Sequence, residues 1–251
     1  MPELSKFNRY RIRLLAFLKA SLSNVVSSDR RSRIRDGADC WTFLAESKLP
    51  TLYLSELWPA IGREAGHANV GITHPWELSY GESAVLDALV RYLRPRTIFE
   101  FGTFLGTTTK LLADAAPTNA VIHTIDLPKL DLPASLLPRS CGGAGTNLIG
   151  SKFRDDPEYE GRIVLHLCDL EHFDYSLYKG QIDFVFIDAS HDYQDVLRDS
   201  RLALDILSPG GVIVWDDYQA STSGVVRALN ELSTNRRLVH IAHTRLALYR
   251  G

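Results

Sequence analysis

The sequence predicts an α/β fold, a doubly wound and mostly parallel sheet with helices on both faces, behind an N-terminal helical extension. Three observations carry this. Short apolar runs of strand length alternate with helical stretches from Ser79 onward, the rhythm of βαβ units. Acidic residues close four of those runs at what must be one edge of the sheet. Before residue 76 the pattern is different, with helical periodicity and clustered basic residues.

The extension comes first. Leu4, Phe7, Tyr10, Leu14, Leu18, Leu22 and Val25 recur at three- and four-residue steps, one apolar helical face. Lys6, Arg9, Arg11, Arg13 and Lys19 surround it, and Arg30, Arg31, Arg33 and Arg35 follow. Such a stripe suits docking on protein, either its own body or a second copy in a homo-oligomer, and that is the expectation; a peripheral contact with an anionic membrane is the alternative. Trp41 to Ile61 reads as short helices broken by Pro50 and Pro59. The boundaries expected are an extension over 1–75 and one domain over 76–251.

The domain opens on a capping box, Ser79 with Glu82, ahead of Val85, Leu86, Leu89, Val90 and Leu93 on one helical face. The strands expected are Thr97–Phe101, Val121–Ile125, Ile163–Leu167, Ile182–Ile187 and Val212–Trp215, apolar enough to be buried on both sides. Helices are expected over Thr107–Ala115, Tyr193–Leu207 and Gly224–Leu232, and Leu238–Ala242 with Arg245–Tyr249 makes a closing hairpin. The connection from Leu127 to Gly161 is long for its place, which suits a lid or specificity loop or, in its glycine-rich part, equally a disordered surface loop, with Phe153 and Arg154 as candidate substrate contacts.

Composition narrows the partners. With 251 residues, 45% of them hydrophobic, and a net charge of −2, the chain is an ordinary globular protein with no global field for nucleic acid. No apolar run is long enough to span a bilayer. Cys40, Cys141 and Cys168 form no CxxC pair and suggest reduced thiols in the cytoplasm.

The sharpest local signal is Glu100-Phe101-Gly102-Thr103-Phe104-Leu105-Gly106-Thr107 between a strand and a helix. Two glycines let a ligand approach the backbone, and the helix behind offers its N-terminus. Phe104 stands where a dinucleotide-binding glycine would be, which disfavours a nicotinamide enzyme. Asp126, about twenty residues on, sits where doubly wound folds place an acid for ribose hydroxyls. Asp169, Asp188 and the pair Asp216-Asp217 end the following strands. His123 and His166 fall within strands, as core or sheet-face residues.

The ordered series FEFGTFLGTTT, TIDLP, HLCDL, DFVFIDASHDY, SPGG and VWDDY resembles the class I S-adenosylmethionine-dependent methyltransferases, and within them the small-molecule O-methyltransferases of the catechol and macrolide-sugar types. The resemblance spans Ser79 to Gly251. It implies a Rossmann-like sheet of seven strands with the last antiparallel. It implies that Glu100, Gly102, Thr103 and Gly106 line the methionine part of S-adenosylmethionine, with Asp126 at the ribose and Asp169 at the adenine. It further implies that Asp188, also beside the cofactor, joins Asp216 and Asp217 in holding a divalent cation such as Mg²⁺, and that His191 is the general base where catechol-type relatives carry lysine. The acceptor expected is a hydroxyl of a sugar or natural product. The alternative is a non-catalytic S-adenosylmethionine-binding or assembly protein that keeps the fold.

Overall fold

The computed structural model describes residues 46–61, 78–128 and 148–251. The apolar stripe of residues 4–25, Cys40, Cys141 and the glycine-rich part of the long connection lie outside them.

Among the described residues the chain forms one mixed sheet. Its strands are β1 (Thr51–Leu52), β2 (Thr97–Phe101), β3 (Val121–Asp126), β4 (Ile163–Leu167), β5 (Ile182–Ile187), β6 (Leu207–Trp215), β7 (Leu238–Ile241) and β8 (Ala247–Arg250). Their spatial order is β1-β7-β8-β6-β5-β2-β3-β4. β2 to β6 pair in parallel, and β8 runs antiparallel to both β6 and β7. The helices are α1 (Leu54–Leu57), α2 (Tyr80–Leu93), α3 (Thr107–Ala115), α4 (Tyr193–Ile206) and α5 (Ser223–Leu232).

Successive strand residues point to opposite faces, and the core divides accordingly. Ile98, Phe184, Phe186, Val212 and Val214 face one side, with Leu86 and Leu89 of α2 and Leu111 and Leu112 of α3. Phe99, Phe101, Val185, Ile187 and Ile213 face the other, with Val196 and Ala203 of α4 and Val226 and Leu229 of α5. Both faces of the central strands are therefore dry, which is why they read as continuous apolar runs.

The seven expected strands are present with a correction. In the described part of Trp41 to Ile61, Glu46 and Leu54–Leu57 are helical, but Thr51–Leu52, expected within the helical series, is an eighth strand. The backbone after Pro50 is claimed by the sheet edge: His240 N–H donates to the Pro50 carbonyl at 2.9 Å and Ala242 N–H to Leu52 at 2.9 Å. The sixth strand also begins earlier than expected, at Leu207, since Ile182 pairs with it ahead of a register shift. The capping box is present as read: the Glu82 carboxylate accepts from Ser79 N–H at 2.9 Å, and Ser79 Oγ from Glu82 N–H.

The chain runs from β2 outward to β4 and then returns to β5 on the other side of β2. The reversal opens a crevice at the carboxyl ends of β2 and β5, the place where open α/β sheets bind ligands.

Candidate active site

The crevice floor is the glycine turn. Gly102 has φ +94°. A Cβ there would lie 2.1 Å from the Asp188 carbonyl oxygen, so glycine is required for β2 and β5 to leave the sheet side by side. Gly106, with φ +86°, caps α3 without a side chain, and a Cβ would lie 2.5 Å from the Phe153 ring. Both glycines thus serve close approach within the protein. Phe153 is only 4% exposed and packs in the core; its candidacy as a substrate contact is withdrawn because the ring holds the loop on Gly106.

Asp126 at the end of β3 reaches back over the turn. Its Oδ2 accepts from Thr103 N–H at 3.0 Å and Phe104 N–H at 2.7 Å, and its Oδ1 from Leu127 N–H at 2.7 Å. Phe104 adopts φ +46°, a conformation that costs a non-glycine residue energy and that Asp126 holds in place. Burial raises the Asp126 pKa against these bonds.

Glu100 does not reach the crevice wall. It is completely buried under the turn, where its Oε2 accepts from the hydroxyls of Thr109 and Thr124. Thr124 in turn meets Thr103 Oγ1 at 2.7 Å. Among the described residues Glu100 Oε1 has no hydrogen-bond partner, and burial pushes the carboxyl up to about 8.

The crevice has a volume of about 990 Å³, at the upper end of small-molecule sites. Gly102, Thr103, Gly106, Asp126 and Asp169 line one part of it, and Asp188, His191, Asp217 and Arg245 another. Asp169 is half-exposed and accepts from Glu171 N–H at 2.9 Å.

At the far wall Asp188, His191 and Asp217 each turn a ligand atom toward a common point, all within 4.8 Å of one another. His191 Nε2 lies 2.8 Å from Asp217 Oδ2. That bond is the main reason the His191 pKa is raised. Asp188 is pushed up to about 6 by burial and by the Asp217 charge. Asp217 holds a left-handed backbone, φ +60°, a strained geometry of the kind that clusters at functional sites.

Asp216 is not brought to that point. Its Oδ1 accepts from Asp217 N–H at 2.7 Å and its Oδ2 from Arg245 Nη2 at 3.3 Å. Arg245 was not foreseen. It stands between β7 and β8, and Tyr218 N–H donates to its carbonyl at 2.8 Å, which draws that turn to the site. Its guanidinium donates from Nε to Glu82 Oε1 at 2.8 Å and from Nη2 to Glu82 Oε2 at 2.9 Å, and Nη1 lies 3.1 Å from Asp217 Oδ1. Burial alone would lower the Arg245 pKa; the acids around it hold it higher than usual. Glu82, although buried, is lowered by the same pairing. A sequence signal existed only in part: Glu82 is legible as a capping acid, but nothing local shows that it also pairs with a residue 163 positions away.

The fold and the crevice resemble those of class I S-adenosylmethionine-dependent methyltransferases. Residues 99–218 match the family model described as a methyltransferase domain. Among curated relatives, caffeoyl-CoA O-methyltransferase of Petroselinum crispum is 26% identical over 147 residues, which are 57% of this chain and 56% of that protein. The chain thus spans little more than half the length of the curated relatives it matches. The O-methyltransferase TomG of Streptomyces achromogenes, solved in complex with SAM, has 21% identity and a TM-score of 0.50 over 79% of this chain and 94% of its own. The SAH-bound Podospora anserina methyltransferase PaMTH1 gives 16% identity and a TM-score of 0.50 over 90% and 96%. At such identities these two structures speak to the fold.

Proposed function

We propose that the protein transfers a methyl group from S-adenosylmethionine to a hydroxyl oxygen of a small molecule. The observation that carries this reading is the joining, in one crevice, of a glycine turn with strand-terminal acids and an Asp-paired histidine opposite. The donor site fits the cofactor. Gly106 offers α3 no side-chain cap, so the helix N-terminus suits a carboxylate. Asp126 has lone pairs left for ribose donors beyond its three backbone bonds, and Asp169 lies beside it for the adenine amino group.

When bound, S-adenosylmethionine supplies an electrophilic methyl on a sulfonium. The chain must hold the acceptor oxygen in line with it, and such positioning contributes ~7–11 kcal/mol. It must also take the hydroxyl proton. His191, which meets Asp217 through Nε2, would accept that proton on its other ring nitrogen, Nδ1. Two carboxylates and an imidazole converging within 4.8 Å also fit a divalent cation. Asp188 and Asp217 would hold it with His191 beside them, and it would lower the pKa of a coordinated hydroxyl. Asp216, expected as a third ligand, would support Asp217 from behind.

The acceptor we infer is an alkyl or glycosyl hydroxyl, because a paired base is most useful for a group that barely ionises at neutral pH. A phenolic acceptor is favoured by the names of the curated relatives. We further infer that 1–75 is an extension serving assembly into a homo-oligomer and that the protein works in the cytoplasm. Among the described residues no helix is long and apolar enough to cross a membrane.

His191→Ala tests the reading. It should lower kcat by about 10²–10⁴-fold while S-adenosylmethionine affinity stays within about twofold, and the loss should shrink as pH rises and the acceptor ionises unaided. Turnover unchanged in His191→Ala would remove the base. Unchanged turnover after exhaustive chelation would remove the cation. Cofactor binding with no transfer to any hydroxyl would favour the non-catalytic alternative.

A further inference from the structure

We propose that Arg245 is a positioning residue that takes Asp216 and one oxygen of Asp217 out of the metal-binding set, leaving a divalent cation only the corner between Asp188, His191 and the other oxygen of Asp217. The proposal rests on the reading of that corner as a cation site. Three carboxylates placed together without a counter-charge would repel one another. Here the chain provides one itself. The guanidinium cannot lose its proton, and Glu82, with 4% side-chain exposure, fixes it by two parallel bonds to Nε and Nη2. What remains of the fork points at Asp216 Oδ2 and Asp217 Oδ1.

The consequences for each acid follow from the atoms. Asp216 is 3% exposed at its side chain, and both oxygens are engaged, one by Asp217 N–H and one by Arg245. Asp217 Oδ1 is taken by Arg245 and by Gln219 Nε2 at 2.8 Å, while Oδ2 faces His191. So one carboxylate of the adjacent pair is a brace and the other is half a ligand. A fixed positive charge a few ångströms from the cation also weakens its binding directly. The site is thereby set to hold a divalent ion loosely, and removing the guanidinium should release Asp216 to join the ligands.

The test is a Mn²⁺ titration of the full chain, without cofactor or acceptor, followed by calorimetry or by the electron paramagnetic resonance of free Mn²⁺. Asp216→Asn should bind Mn²⁺ within about twofold of wild type, whereas Asp188→Asn and Asp217→Asn should each weaken binding about tenfold or more. Arg245→Gln should tighten it about tenfold, and adding Asp216→Asn to that variant should remove much of the gain while the same change costs wild type little, a coupling that a merely structural role would not produce. Should Arg245→Gln fail to fold with Glu82 left uncompensated, the double variant Glu82→Gln/Arg245→Gln removes the buried acid as well and should show the same tightening. If Asp216→Asn weakens binding as much as Asp217→Asn while Arg245 is in place, or if removing Arg245 leaves affinity unchanged, the proposal is overturned and the cation site stands. If neither wild type nor the Arg245 variants bind Mn²⁺, the cation reading fails and the proposal falls with it.

Discussion

Glu100 is a carboxyl group enclosed by the protein before any ligand arrives. Its pKa is raised to about 8, chiefly by burial. A carboxyl whose folded pKa lies above its unfolded value contributes stability that is complete below about 4.5 and is lost as pH rises through about 8. Glu100→Gln keeps the shape and removes the titration. The melting temperature of the variant should therefore fall less between pH 6 and pH 9 than that of wild type, and parallel melting profiles would contradict the assignment. Asp169 makes the opposite case, half-exposed and tied to the fold by little besides Glu171 N–H. Asp169→Ala should cost roughly 1.5–3 kcal/mol of S-adenosylmethionine affinity, read by calorimetry, with melting unchanged. These two residues also show what spacing conveys. The acids ending β3, β4 and β5 were legible because strand ends converge on one edge. Glu100 belongs to the same motif, yet only the path of its side chain, into the threonine network of Thr103, Thr109 and Thr124, separates a brace from a contact.

At the scale of elements, the turn between β2 and α3 depends on pieces distant in sequence. Gly102 is confined by the Asp188 carbonyl and Gly106 by the Phe153 ring, so substitutions there report on packing before they report on the cofactor. Gly106→Ala places a Cβ 2.5 Å from that ring at φ +86°. It should destabilise the domain by about 1–3 kcal/mol for the backbone strain, with more from the clash. Phe153→Leu added to it should recover part of the loss in thermal unfolding. Strict additivity of the two changes would mean that ring and glycine do not meet. The helix α2 was legible from its apolar periodicity and capping box, and α3, α4 and α5 as the helical stretches that separate the strands. The strand Thr51–Leu52 was not, because two residues carry no periodicity and Pro50 reads equally as a helix breaker or as the start of an edge strand. Its place is set by β7, which comes almost 190 residues later.

Over the whole molecule, the sheet is tied to the segment before it through a phenol as well as through β1. Tyr218, the residue after the acidic pair, is buried; its hydroxyl donates to Asn230 Oδ1 at 2.7 Å and accepts from Lys48 N–H at 3.2 Å, and lies 3.1 Å from Ser47 Oγ. Tyr218→Phe strips these bonds and leaves the ring. Amide exchange at 47–52 should quicken by the equivalent of about 1–3 kcal/mol while β2, β3 and β5 keep their protection; uniform protection would place the anchor elsewhere. The doubly wound architecture was legible as a whole because the central strands are dry on both faces and helices connect β2 to β3, β5 to β6 and β6 to β7. The Arg245 fork was not, because it joins the end of the chain to a helix cap through a turn whose position only the finished sheet fixes. The central claim, methyl transfer to a hydroxyl oxygen, is tested most directly by incubating the full chain with S-adenosylmethionine bearing a deuterated methyl and a panel of glycosides, alcohols and phenols. Wild type should release S-adenosylhomocysteine in equal amount to a deuteromethyl ether, and His191→Ala should do so far more slowly. Formation of S-adenosylhomocysteine without any methylated oxygen, or methylation found only on nitrogen, sulfur or carbon, would contradict it.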